Sequence, residues 1–140
     1  MTRSSKPVTS LAWIVRPLAC LLSPHSLLIF YLGYPYFQGS SINTASTTFW
    51  NSIIATRNAV NAVSPGKWVW VTETGWPVSG KAFGAAKAGV ANAQTYWNQV
   101  ACQAFKQVHI FWYVESDYWE SPSFGMFDKN GKALYDLATC

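Results

Sequence analysis

The sequence predicts an α/β fold built on a parallel sheet, and three observations carry that prediction. Short apolar runs rich in β-branched and aromatic residues recur at 29–37, 67–72 and 108–114. Between them lie two segments whose apolar residues recur at three- and four-residue steps, the period of an amphipathic helix. Each strand–helix unit takes roughly 35 residues, the size of a βα unit with a right-handed crossover.

In the first unit, the run 29–37 ends in Tyr34-Pro35-Tyr36, and Gly39 opens a polar loop over 40–44. Phe49, Trp50, Ile53, Ile54, Val60 and Val63 then predict a helix, which Ser64-Pro65-Gly66 stops. The second unit begins with Lys67-Trp68-Val69-Trp70-Val71-Thr72, short enough for a buried strand. Glu73-Thr74-Gly75-Trp76-Pro77 follows, then a Gly/Ser/Ala loop through Gly89. Val90, Ala93, Trp97, Val100, Ala101, Ala104 and Phe105 mark the second helix. The third unit is a strand over 108–114, an acidic and aromatic loop over 115–128, a turn at Asn130-Gly131 and a short closing helix over 133–137.

Composition narrows the function. The 140 residues are 50% hydrophobic and 11% charged, which excludes intrinsic disorder. Aromatic residues make up 16%, more than a small core needs, which suits stacking surfaces for flat ligands or sugar rings. Of the formal net charge of +4, Arg3, Lys6 and Arg16 contribute +3 with no acid before residue 31. The remainder carries no basic stripe, so a nucleic-acid partner is excluded. The head, 1–32, has a basic start, but Arg16, Pro17, Pro24 and His25 interrupt its apolar runs and no Ala-x-Ala site follows. It reads as an atypical segment, signal-like or mis-assigned, in front of a domain over 33–140. A membrane span is not expected in it.

In parallel α/β folds chemistry gathers beyond the carboxyl ends of the strands. Three sets of residues fall there: Tyr34 with Tyr36, Glu73, and Glu115 with Asp117. Glu73 is the sharpest, because a carboxylate directly after a buried strand is costly unless paired or hydrogen-bonded. Its bland reading is a helix cap or a loop ion pair. The Gly75-Trp76-Pro77 turn would set an aromatic face beside it. In Trp112-Tyr113-Val114-Glu115-Ser116-Asp117-Tyr118-Trp119-Glu120, three carboxylates stand among four aromatics, either a polar cleft with stacking walls or a solvated loop over packed rings. His25 and His109 have no metal-ligand spacing, so neither a metal nor another cofactor is expected. Cys102 and Cys140 belong to neighbouring units and would form a disulfide in an oxidising compartment, leaving Cys20 over; three reduced thiols are the alternative.

Four segments, Tyr34-Pro35-Tyr36-Phe37-Gln38-Gly39, Trp70-Val71-Thr72-Glu73-Thr74-Gly75-Trp76-Pro77, Phe111-Trp112-Tyr113-Val114-Glu115-Ser116-Asp117 and Phe124-Gly125-Met126-Phe127-Asp128, together resemble the C-terminal part of glycoside hydrolase family 17, in its fungal cell-wall β-1,3-glucanase branch. The resemblance covers about 33–140. It implies a partial TIM (β/α)₈ barrel made of the last three βα units, acting on β-1,3-glucan by a retaining mechanism, secreted or in the cell wall. It implies Glu73 as the catalytic nucleophile with Tyr34 orienting it. Tyr36, Trp76, Trp112, Glu115 and Asp117 would fall among the substrate-binding residues.

The departures are as specific. The family's acid/base is a Glu after an Asn on an earlier strand, whereas this sequence has no Asn-Glu pair and no Glu before Glu73. Leu32 stands where many members carry Asn. The expectation is therefore a chain with the nucleophile but without the acid, inactive by itself and prone to aggregate through open sheet edges. Glu115, leaving the neighbouring strand, is a remote substitute for the acid. A non-catalytic glucan-binding or wall-associated remnant is the reading from a different class.

Overall fold

The computed structural model describes residues 28–139. Three parallel strands, β1 (Leu28–Leu32), β2 (Trp68–Thr74) and β3 (Ile110–Trp112), form one sheet in the order β1-β2-β3. Helix α1 (Ile42–Val63) connects the first two. The second crossover runs through α2 (Val90–Tyr96), a π-helical turn (Trp97–Ala101) and α3 (Cys102–Ala104). The α/β class and the parallel pairing are those the periodicity predicted.

Strand alternation divides the sheet's residues between two faces. Ile29, Tyr31, Val69 and Val71 are buried and join the core with Phe49 and Ile53 of α1 and Val100 of the π-helical turn. Phe30, Leu32 and Trp68 alternate with them along β1 and β2 and are exposed, as is Phe111 in the middle of β3. Three of them are aromatic, so part of the chain's high aromatic content lies outside the core.

Element boundaries moved for identifiable reasons. The first strand ends at Leu32 instead of 37, because Pro35 begins a turn in which Gln38 N and Ser40 N both donate to Pro35 O. Helix α1 starts at Ile42, seven residues before the first apolar marker, Phe49. Its opening turns are rich in Ser and Thr, and of these residues only Ala45 is fully buried, so they carry little periodic signal. The third strand keeps only three residues of the expected 108–114.

The predicted closing helix over 133–137 does not form. Asp128 accepts hydrogen bonds from Asn130 N (2.8 Å) and Lys132 N (2.9 Å), folding the chain back so that Phe127 and Ala133 pair as an antiparallel bridge. Leu134 N then donates to Met126 O. Downstream, the Asp136 carboxylate accepts from Ala138 N, Thr139 N and the Thr139 hydroxyl. Local side-chain acceptors have replaced the helical hydrogen-bond ladder.

Candidate active site

Glu73 is the penultimate residue of β2, and a bulge aims it. Tyr31 pairs with Val71, but the next residue, Leu32, pairs with Glu73, so Thr72 is skipped. Gly33 N donates to Glu73 O at 2.9 Å, which stitches the ends of β1 and β2 together. Thr74 then faces the helices, where it is wholly buried, and Glu73 faces an open cleft of roughly 510 Å³.

Tyr34 follows directly from that stitch. Its hydroxyl donates to Glu73 Oε2 at 3.0 Å, joining residues 39 apart in sequence. Burial, and then the neighbouring Glu73 charge, hold the phenol far above its ordinary range. Tyr34 is therefore a fixed proton donor, and it orients one carboxylate oxygen while the other accepts no hydrogen bond from the described residues. Its ring is locked edge-on by Phe37 (5.6 Å), Phe124 (5.4 Å) and Tyr113 (6.2 Å). Glycine at 75 permits this convergence: a Cβ there would collide with Tyr113 O.

A buried polar pair supports the same corner. Thr74 Oγ1 donates to Gly33 O at 2.5 Å, so its lone proton is committed and the Tyr96 hydroxyl, 2.9 Å away, donates to Thr74. Burial also keeps Tyr96 protonated well beyond the usual phenol range.

The other candidates are distributed differently. Tyr36 and Trp76 are core residues, 2% and 1% exposed. The Tyr36 hydroxyl donates to Lys81 O, Trp76 Nε1 donates to Lys87 O at 2.9 Å, and the two rings pack edge to face at 5.6 Å. Neither presents a face to the cleft beside Glu73. Trp112 points to the helix side, against Trp97 (4.9 Å) and Tyr96 (5.5 Å), with Nε1 donating to the Tyr135 hydroxyl. Glu115 is exposed and is not among the residues lining the cleft, and its backbone carbonyl anchors Met126 and Phe127.

Asp117 does border the cleft, but its carboxylate is occupied. It accepts from Ser123 Oγ (2.7 Å), Phe124 N (2.8 Å) and Gly125 N (2.7 Å) and is almost fully buried. It pins the loop after β3 instead of offering oxygens to a ligand. Cys102 is disulfide-bonded, and its sulfur lies 3.6 Å from Thr139 O. Cys140, its expected partner, falls outside the described residues, as do Cys20 and nearly all of the head.

The cleft wall is completed by Phe37, Tyr113, Trp119 and Phe124. Tyr113 and Trp119 were legible only as members of the aromatic loop. Alternation at the end of β3 sends Trp112 one way and Tyr113 the other, a signal that the sequence contained.

The BtgE/BtgC glycoside hydrolase domain model matches residues 14–130. The chain belongs to that family. This agrees with the resemblance to family 17 carried by the four motifs. Among relatives of this glycoside hydrolase chain, the probable glucan endo-1,3-beta-glucosidase eglC of Aspergillus fumigatus is 46% identical over 114 residues, covering 76% of the chain and 25% of that protein. The glucan 1,3-beta-glucosidase of Schizosaccharomyces pombe is 30% identical over 114 residues, covering 74% of the chain and 36% of that protein. The chain thus spans about a quarter of the length of the Aspergillus relative and about a third of the yeast one. Its fold is similar to the glycoside hydrolase family 17 β-1,3-glucanosyltransferase of Rhizomucor miehei, with a TM-score of 0.62 at 23% identity over 76% of this chain and 40% of that one. An active-site mutant of that transferase, solved with laminaritriose, has the same TM-score of 0.62 at 22% identity, again over 76% of this chain and 40% of that one.

Proposed function

We propose that this glycoside hydrolase chain carries the nucleophile side of a retaining β-1,3-glucan hydrolase or transglycosylase of the cell wall or secreted space. The observation that carries the reading is the Tyr34–Glu73 pair at the open, carboxyl-terminal end of a parallel sheet. The three βα units correspond, in this reading, to the last three of an eight-stranded barrel. Glucan names on the relatives and laminaritriose bound to a fold neighbour support the substrate class.

In the first step Glu73 attacks the anomeric carbon. The bond to the leaving oxygen breaks, and a glycosyl ester forms. Tyr34 holds one oxygen so that the other is aimed at the sugar, which lowers the cost of ordering the nucleophile at the moment of attack. Departure of the leaving oxygen needs a proton from a second carboxyl about 5–5.5 Å away. Glu115 does not line the cleft and the Asp117 oxygens are occupied, so in this reading neither supplies it. The acid comes instead from an earlier strand of the complete barrel, in keeping with the absence of any Glu before Glu73. Water or a sugar hydroxyl then resolves the ester.

The test separates nucleophile from acid. With 2,4-dinitrophenyl β-laminaribioside, whose leaving group departs without protonation, the chain should release dinitrophenolate and Glu73→Gln should not. With laminarin, no reducing ends should appear. Dinitrophenolate release that survives Glu73→Gln would overturn the assignment. Binding of laminarin without turnover of either substrate would favour the glucan-binding remnant.

A further inference from the structure

We propose that Trp119 is a sugar-stacking platform at the rim of the Glu73 cleft, held in place by the Asp117 loop clamp. The inference rests on the β-1,3-glucan reading above and extends it to a residue outside the four family motifs.

Two tryptophans stand out by exposure, Trp119 at 66% and Trp68 at 63%. Their surroundings differ. Trp68 lies at the amino-terminal start of β2, among Lys67, Lys106 and His109, at the end of the sheet opposite Glu73. Trp119 borders the same cleft as Glu73, beside Glu120. The aromatic rings on the cleft floor, Tyr34, Phe37, Tyr113 and Phe124, are engaged edge to face or tilted with one another. Trp119 has one aromatic contact among the described residues, Tyr118, which meets it edge-on at 4.8 Å and 84°. With that one ring contact, Trp119 keeps two-thirds of its surface exposed at the cleft rim.

An exposed indole face costs free energy in water, because its large apolar area stays hydrated. The C–H face of a pyranose ring covers such a surface, while the ring's equatorial hydroxyls reach carboxylates at its edge. Glu120, the next residue in the chain, borders the same cleft and carries such a carboxylate. The loop is also pre-ordered: Glu120 N donates to Asp117 O at 2.8 Å, and the Asp117 carboxylate ties residues 123–125 beneath it. Gly125 is needed there, since a Cβ would lie 2.9 Å from Asp117 Oδ1. A ligand therefore meets a platform whose ordering cost falls on folding instead of on binding.

The experiment is calorimetric titration of the full chain with laminarihexaose, in parallel with Trp119→Ala, Trp119→Tyr and Trp68→Ala. Trp119→Ala should raise Kd about tenfold or more, equivalent to about 1.4 kcal/mol. Trp119→Tyr should retain most of the affinity, showing that the loss follows from the missing face and not from a misfolded loop. Trp68→Ala should bind as the unaltered chain does. Equal affinity for Trp119→Ala and the unaltered chain overturns this proposal and leaves the glucan reading standing, as does an equal loss in Trp68→Ala. Absence of binding by the unaltered chain overturns both.

Discussion

The buried contact between Thr74 and Tyr96 lends itself to an asymmetric test. Thr74 donates to Gly33 O and accepts from the Tyr96 hydroxyl, and both side chains are fully buried. Thr74→Val keeps the shape but strands two groups at once, the Gly33 carbonyl and the Tyr96 hydroxyl. At about 1–3 kcal/mol for each unsatisfied buried group, the expected loss of stability is about 2–6 kcal/mol. Tyr96→Phe removes a donor while Thr74 keeps its bond to Gly33 O, so the cost should be only about 0.5–1.5 kcal/mol. In the double variant the Tyr96 hydroxyl is no longer there to be stranded. Its loss should fall to about 1–3 kcal/mol, the cost of the Gly33 carbonyl by itself and about half that of Thr74→Val. Tyr96→Phe thus changes sign, destabilising the unaltered chain and stabilising the chain that already carries Thr74→Val. Urea unfolding followed by tryptophan fluorescence, with m-values checked for constancy, measures all four corners of the cycle. Additive losses would refute the argument, because they would mean that the hydroxyls do not depend on each other.

Two further outcomes follow from the same geometry. Asp117→Asn replaces an acceptor oxygen with an amide donor facing Ser123 Oγ, Phe124 N or Gly125 N, and should cost about 2–4 kcal/mol in urea unfolding while loosening the Trp119 loop; an unchanged midpoint would show that the three bonds carry little. Tyr135 is pushed up to about 12 by burial, so its contribution is fully present below pH about 10 and lost as pH rises through about 12, a linked change of about 2–3 kcal/mol. Absorbance titration at 295 nm, taken as the difference between the unaltered chain and Tyr135→Phe so that the other six tyrosines cancel, should then show Tyr135 ionising together with unfolding; a difference signal near pH 10 in a chain still folded by circular dichroism would contradict its burial.

The alternation of strands and helices, the parallel sheet and the prominence of Glu73 were all legible in the sequence. Each depends on local chemistry: hydrophobic period, Pro and Gly punctuation, and a carboxylate abutting a strand too apolar to hold it. The family resemblance rested on short contiguous motifs and was equally local. The residues that sequence placed on the cleft and the structure moved elsewhere, Tyr36, Trp76 and Trp112, share one cause. An aromatic beside a carboxylate in the chain is a core residue or a stacking surface according to the direction its side chain takes. That direction is set by the bulge at Glu73, by the turn at Pro35 and by alternation along β3.

Asp117 and Trp119 show the other half of the lesson. Both sit in an acidic, aromatic loop whose composition suggested a cleft without saying which group would face it. Only tertiary structure brought three donors from 123–125 onto the Asp117 carboxylate, removing it from ligand chemistry and leaving Trp119 open at the rim. It likewise joined Tyr34 to Glu73 across 39 residues. Sequence determines which groups are available, because propensity and period are properties of neighbours in the chain. Which of them meet is decided by register and crossover packing, which no single segment encodes.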